Sequence, residues 1–216
     1  MAITYPLPFP SGAGFLEGEF SLGEVQAVNT LRSGAVQAME LGDSLWSGRF
    51  VTSLCDARQR GRWQAWKGAL NGSIGTFLAY DPDKQYPLAY GAGVLALTRF
   101  GGGAFDGNAT LAAWTATTLQ ITGLPASYQA ADGDMVSFPW NGGKALHMIV
   151  GDTAASAGGV LDVTVVPPVR TSPAPSGGAA VALVKPSCLM RLRPGSFSAP
   201  TSRARRSVSF EGVQVP

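Results

Sequence analysis

The feature that most limits how this chain can fold is a recurring pattern of short runs in which β-branched or aromatic residues alternate with polar ones, separated by clusters of Gly, Pro, Asn and Asp. Alternation with a period of two puts every second side chain on the same face of an extended backbone, as a half-buried strand requires. The first runs are Gly18–Val28, Ala35–Leu41 and Leu45–Thr52, with turns at Asn29, Ser33-Gly34 and Gly42-Asp43. Residues of these types tolerate the backbone angles of a tight reversal. Thr76–Tyr80 is a further strand, ended by Asp81-Pro82, because proline removes a donor and pushes its predecessor away from helix.

A glycine-rich passage over 91–108, containing Gly101-Gly102-Gly103, reads as a border. Beyond it come Thr115–Thr122, Asp134–Phe138, Ala145–Asp152, Val160–Val166, Ala179–Val184 and Cys188–Arg193, and a spacing of about ten residues suits a small barrel or sandwich. Pro194–Arg206 is polar, and Val208–Val215 alternates once more as a strand able to return to the first unit. The expected fold is therefore mainly β: a β-sandwich domain over 1–100 carrying one helix, a small β-barrel-like domain over 101–194, and a basic tail with a terminal strand over 195–216.

The single helix is expected over 54–70. Asp56 can cap it or serve as a first-turn acid, Trp63, Trp66 and Leu70 recur at helical spacing, and Arg58, Arg60, Arg62 and Lys67 take the other faces. Gly68, Asn71 and Gly72 supply the stop.

Charged residues make up only 14% of the chain, against about 25% in an ordinary soluble domain. Two readings follow: a permanent assembly that hides uncharged surface, or simply a composition rich in small residues. Charge is also uneven. After Asp162 the only acid is Glu211, whereas Arg170, Lys185, Arg191, Arg193, Arg203, Arg205 and Arg206 are basic. Such a segment can contact nucleic acid or form a seam with a neighbouring subunit. The near-absence of aromatic residues there favours the seam, with Arg191, Arg193, Arg203, Arg205 and Arg206 as the contact candidates, over specific nucleic-acid binding. No basic N-terminal region precedes an apolar run, and no stretch is apolar for a full membrane span, so neither a signal peptide nor a membrane contact is expected.

Candidates for chemistry are few. Cys55 and Cys188 are far apart, with no metal-ligand spacing, and read as small buried hydrophobes. The one histidine, His147, lies inside a strand, and no serine sits in a G-x-S-x-G elbow. The acidic pairs Glu17/Glu19, Asp81/Asp83 and Asp132/Asp134 sit on strands or in turns, where solvation explains them. No enzyme activity, cofactor or metal is expected. Among the tryptophans, Trp114 and Trp140 are the candidates for an exposed glycan platform, which makes a carbohydrate-binding module that recognises a host surface the alternative function.

The order of motifs resembles that of the distal tail proteins of bacteriophages with long flexible tails. Trp63 and Trp66 on a helix closed by Asn71-Gly72 lead into Thr76-Phe77-Leu78-Ala79-Tyr80-Asp81-Pro82, similar to that family's helix and strand closed by Asp-Pro. Ala131-Asp132-Gly133-Asp134-Met135-Val136-Ser137-Phe138 resembles the entry to its small barrel, and Leu146-His147-Met148-Ile149-Val150 its Leu-His-x-Val strand. Val163–Arg170 and Pro186–Leu192 resemble the strands that follow. The resemblance implies a structural virion protein in the phage tail, assembled in the host cytoplasm. It implies a homohexameric ring joining the tail tube protein to the hub and fibre proteins.

Overall fold

Two sets of strands bury two different kinds of side chain, and the architecture follows from that division. In the computed structural model, which describes residues 3–12, 14–201 and 204–215, the chain is mainly β with one α-helix. It opens with β1 (Phe15–Leu22), β2 (Gln26–Thr30), β3 (Val36–Glu40), β4 (Trp46–Thr52), α1 (Ala57–Ala69) and β5 (Thr76–Ala79). Next come β6 (Asn108–Trp114), β7 (Thr118–Thr122), β8 (Gln129–Ala130), β9 (Met135–Trp140), β10 (Gly143–Val150), β11 (Thr153–Ala154), β12 (Leu161–Val166) and β13 (Ala180–Ala182). The last two strands are β14 (Cys188–Leu192) and β15 (Ser209–Gln214).

The first sheet has five antiparallel strands in the order β1-β4-β15-β14-β5. Its inner face is aromatic: Phe50, Phe77 and Phe210 are fully buried beneath Trp63 and Trp66 of α1. Room for these rings comes from two glycines that face each other across the β4–β15 ladder, Gly48 and Gly212. A Cβ at Gly48 would lie 2.6 Å from the Phe50 ring, and one at Gly212 2.8 Å from Phe77. The helix begins at a capping box, in which the Asp56 carboxylate accepts from the Gln59 amide at 2.7 Å and the Gln59 side chain accepts from the Asp56 amide at 2.9 Å. Residues 54 to 56, expected inside the helix, precede it because Cys55 is extended and paired with Arg206.

Strands β6, β7, β9, β10, β12 and β13 close a six-stranded barrel. Its interior is mostly aliphatic and β-branched, including Leu111, Leu119, Ile121, Val136, Ile149, Val163, Val165 and Val181. The short ladder β8–β11 lies beside it. On β9 and β10 the outward-facing Met135 and Leu146 are also apolar and buried, because they enter the aromatic core of the first sheet. Trp46 Nε1 donates to the Leu146 carbonyl at 2.8 Å, completing a seam between the units.

Several expected boundaries move. The strand expected over 188–193 in the barrel is β14 of the first sheet, where Cys188 pairs with Ala79. The barrel is thus an insertion between β5 and β14. It also begins well before Gly101, since Tyr86, Tyr90 and Val94 already pack into its core. β6, between the glycine-rich passage and the first strand expected after it, forms because Ala109 and Leu111 alternate into that core. The expected strand Gly18–Val28 is two strands: the chain leaves the sheet after Leu22 and enters a separate hairpin.

Candidate functional site

That hairpin, β2–β3, is the least buried part of the described structure. Its strands pair in regular register from Gln26↔Glu40 to Thr30↔Val36, and every residue in both is exposed. Val28, Val36 and Met39 are 62%, 63% and 64% accessible, and Leu41, just beyond, is 61%. Cross-strand register places Val28, Ala38 and Val36 on one face and Ala27 and Met39 on the other. Both faces therefore carry apolar groups without a covering layer. At its base Asp43 is tied to Arg170 at 3.0 Å, and the Arg170 guanidinium lies over the Trp140 ring at 5.4 Å, which fixes the root of the arm to the barrel.

The basic segment read from the sequence divides into two places. Arg191 is exposed on β14, pointing away from α1, and Arg193 follows it, 3.0 Å from Glu211. Arg193 belongs to a row of alternating charge across the outer face of the sheet, made with Glu19, Arg49 and Glu211. Arg205 and Arg206 lie instead on a strap held to the entrance of α1, where the Arg206 amide donates to the Cys55 carbonyl at 3.3 Å and the Cys55 amide to the Arg206 carbonyl at 3.0 Å. Arg203 lies outside the described residues. The five expected contact residues are therefore not one cluster.

Beside Arg205 and Arg206 the chain enters the helix through Cys55, and Arg58 stands exposed in its first turn. Arg58 and Lys67 are exposed on α1, Arg62 reaches the Ser11 carbonyl, and among the described residues no salt bridge engages Arg58, Lys67, Arg205 or Arg206. Leu54 just before the helix and Ile74 just after it are 60% and 69% accessible.

His147 is 3% accessible and stacks on Phe138, with ring centroids 5.5 Å apart and planes inclined by 15°. Its Nδ1 lies 2.8 Å from the Pro167 carbonyl and so carries the proton as donor, while Nε2 has no partner among the described residues. Burial, with Arg170 adding to it, holds the imidazole down at about 4 against an ordinary 6.5, so it is neutral over the physiological range. Among the described residues neither nitrogen meets a hydroxyl, thiol or carboxylate. The cleft beside it is lined by Ser44, Trp140, Lys144, Arg170 and Gln214.

The two tryptophans considered for glycans are half-buried against the barrel core. Trp140 Nε1 donates to the Pro173 carbonyl at 2.8 Å, so both its polar edge and one ring face are engaged. Cys55 and Cys188 are free thiols, both buried, and burial raises the Cys188 thiol far above its usual range. No helix among the described residues is long and apolar enough to cross a membrane. Neither a protein-family pattern nor a curated protein matches this chain.

Proposed function

We propose that this protein is a structural subunit of a bacteriophage tail tip, packed side by side with copies of itself into a ring, with six as the expected number, between the tail tube and the hub or fibre proteins. The observation that carries an assembly role is the β2–β3 arm. A two-stranded ladder without a packed face is at best marginally stable in water, yet this one is regular over five residues in each strand and exposes apolar side chains on both faces. A partner that covers it accounts for both facts, and for a chain with only 14% charged residues. The order of helix, Asp-Pro strand and small-barrel motifs in the sequence is what connects that assembly to a tail.

Negative-stain electron microscopy and sedimentation velocity of the purified protein test the reading. Closed rings of uniform size are expected, without any added sugar or nucleotide. A particle that stays monomeric up to high micromolar concentration would overturn it. The competing glycan reading predicts a monomer whose tryptophan fluorescence responds to an oligosaccharide array.

A further inference from the structure

The arm joins the first sheet through a break in register. At the end of the β1–β4 ladder Leu22 faces Trp46, whereas at the start of the arm Gln26 faces Glu40. Two backbone hydrogen bonds flank the break, Gly23 N–H to the Leu45 carbonyl and Leu41 N–H to the Val25 carbonyl, both at 2.8 Å. Between them one strand holds Glu24 alone and the other holds Gly42, Asp43 and Ser44. Extra residues on one strand interrupt a ladder and bend it. Each strand also has a glycine here, and at Gly23 a Cβ would come 3.2 Å from the Leu45 carbonyl oxygen. Every residue from Glu24 to Asp43 is exposed, so no packed layer fixes the angle at which the arm leaves the sheet.

One polar contact does reach across. Among the described residues, Asp43 to Arg170 at 3.0 Å is the one ion pair or side-chain hydrogen bond between Glu24–Asp43 and the rest of the chain. Its two halves differ in rigidity. Arg170 stands on the segment after β12, which is held on both sides of it: the Pro167 carbonyl accepts from His147 Nδ1 at 2.8 Å, and the Pro173 carbonyl from Trp140 Nε1 at 2.8 Å. Between them Val169 is buried in the barrel core, and its amide donates to the Ala116 carbonyl at 2.7 Å. The Trp140 ring lies under the Arg170 guanidinium at 5.4 Å. Asp43, by contrast, lies inside the break itself, with its side chain 73% exposed against 29% for Arg170.

We propose that the break at Gly23 and Gly42–Ser44 is a hinge and that the Asp43–Arg170 pair is its latch. With the pair made, the arm is held in one attitude against the barrel; with the pair parted, the arm swings about its root. A pair this exposed is screened by water and salt, so it biases the attitude without locking it. The arm is thereby kept ready in one orientation, and a partner that covers it has less orientational freedom to remove on binding. The latch is a property of the single subunit and does not rest on the ring reading.

Double electron–electron resonance on the full chain tests it. Nitroxide labels are placed on Ser33→Cys at the turn of the arm and Thr164→Cys on the outward side of β12, both exposed positions, while Cys55 and Cys188 are buried. Each labelled chain is diluted into its own unlabelled form, so that the distances read lie within one subunit. The parent should give one narrow distribution, and Asp43→Asn or Arg170→Gln should broaden it about twofold or more. High salt should broaden the parent. Asp43→Arg combined with Arg170→Asp should be narrower than either reversal alone, with the melting temperature of the parent. A parent as broad as Asp43→Asn, an Asp43→Asn variant as narrow as the parent, or a double reversal no narrower than the single ones overturns the latch. Sedimentation of the same samples reads assembly separately, so a monomeric parent sinks the ring and leaves this inference to the label distances.

Discussion

The barrel and the arm are built from the same antiparallel ladder and differ in what the ladder is packed against. In the barrel each strand is paired on both sides and presents alternate side chains to a closed interior: β12 reads buried-exposed from Leu161 to Val165, and β7 likewise buries Leu119 and Ile121. In the arm, β2 and β3 pair only with each other, and the same kind of alternation buries nothing. Backbone hydrogen bonds thus define the ladder in both, but only the barrel gains the desolvation of apolar surface that makes a strand pair durable by itself, about 25 cal/mol per Å². The difference teaches that pairing alone makes a ladder, while burial of one face is what sets the barrel apart from the arm.

Four substitutions or conditions break or sharpen that contrast. Phe138→Ala in the barrel removes a fully buried ring and should cost roughly 3–5 kcal/mol, read as a lowered urea midpoint. Acidification comes next, through His147. Its folded pKa of about 4 lies below the ordinary 6.5, so the unfolded chain takes up the proton first as pH falls. Stability should therefore be unaffected above pH 6.5 and drop by roughly 3 kcal/mol between 6.5 and 4. Asp81 and Asp134, whose carboxyls burial raises, act in the opposite sense, so the comparison to make is the pH slope of the parent against that of His147→Gln, which should be shallower.

Asp56→Ala, which removes the helix cap, should cost about 1 kcal/mol in denaturant unfolding. The smallest effect on the isolated subunit is expected in the arm: Val28→Ser with Val36→Ser should shift the urea midpoint of the monomer by less than about 0.5 kcal/mol. If the arm is an assembly surface, the same pair should weaken self-association measurably by sedimentation. A large loss of monomer stability from these two changes would mean the arm is not the independent element described here.

The parts of the fold legible in the sequence are those set by neighbouring residues. Trp63 and Trp66 at helical spacing, with Asp56 before them and Gly72 after, give α1 to within a few residues, and the alternation in 145–152 gives β10. The domain border was not legible, because it depends on the pairing of Cys188 with Ala79 across more than a hundred residues of intervening chain, which no local pattern encodes. Nor was the arm's exposure: Val28 and Val36 alternate with polar neighbours as they would in a half-buried strand, and only the missing layer above them distinguishes the two. The expected contact arginines came out divided because the chain between Arg193 and Arg205 passes from the outer face of the sheet to the entrance of the helix. Arg58 and Arg206 were visible individually, but that the strap pairs beside the start of the helix is a tertiary fact.

Because Ala79 and Cys188 are direct partners in the ladder, the whole barrel leaves and re-enters the first sheet through adjacent positions, with Cα atoms about 5 Å apart. To the sheet, a module of this size is topologically no more than the tip of a hairpin. Its interior can be exchanged, enlarged or trimmed without shifting a single register in the five strands beneath, so long as Leu146 and Met135 still reach down to the shared floor. One half of the molecule is therefore free to diversify while the half bearing the arm and the helix keeps its geometry.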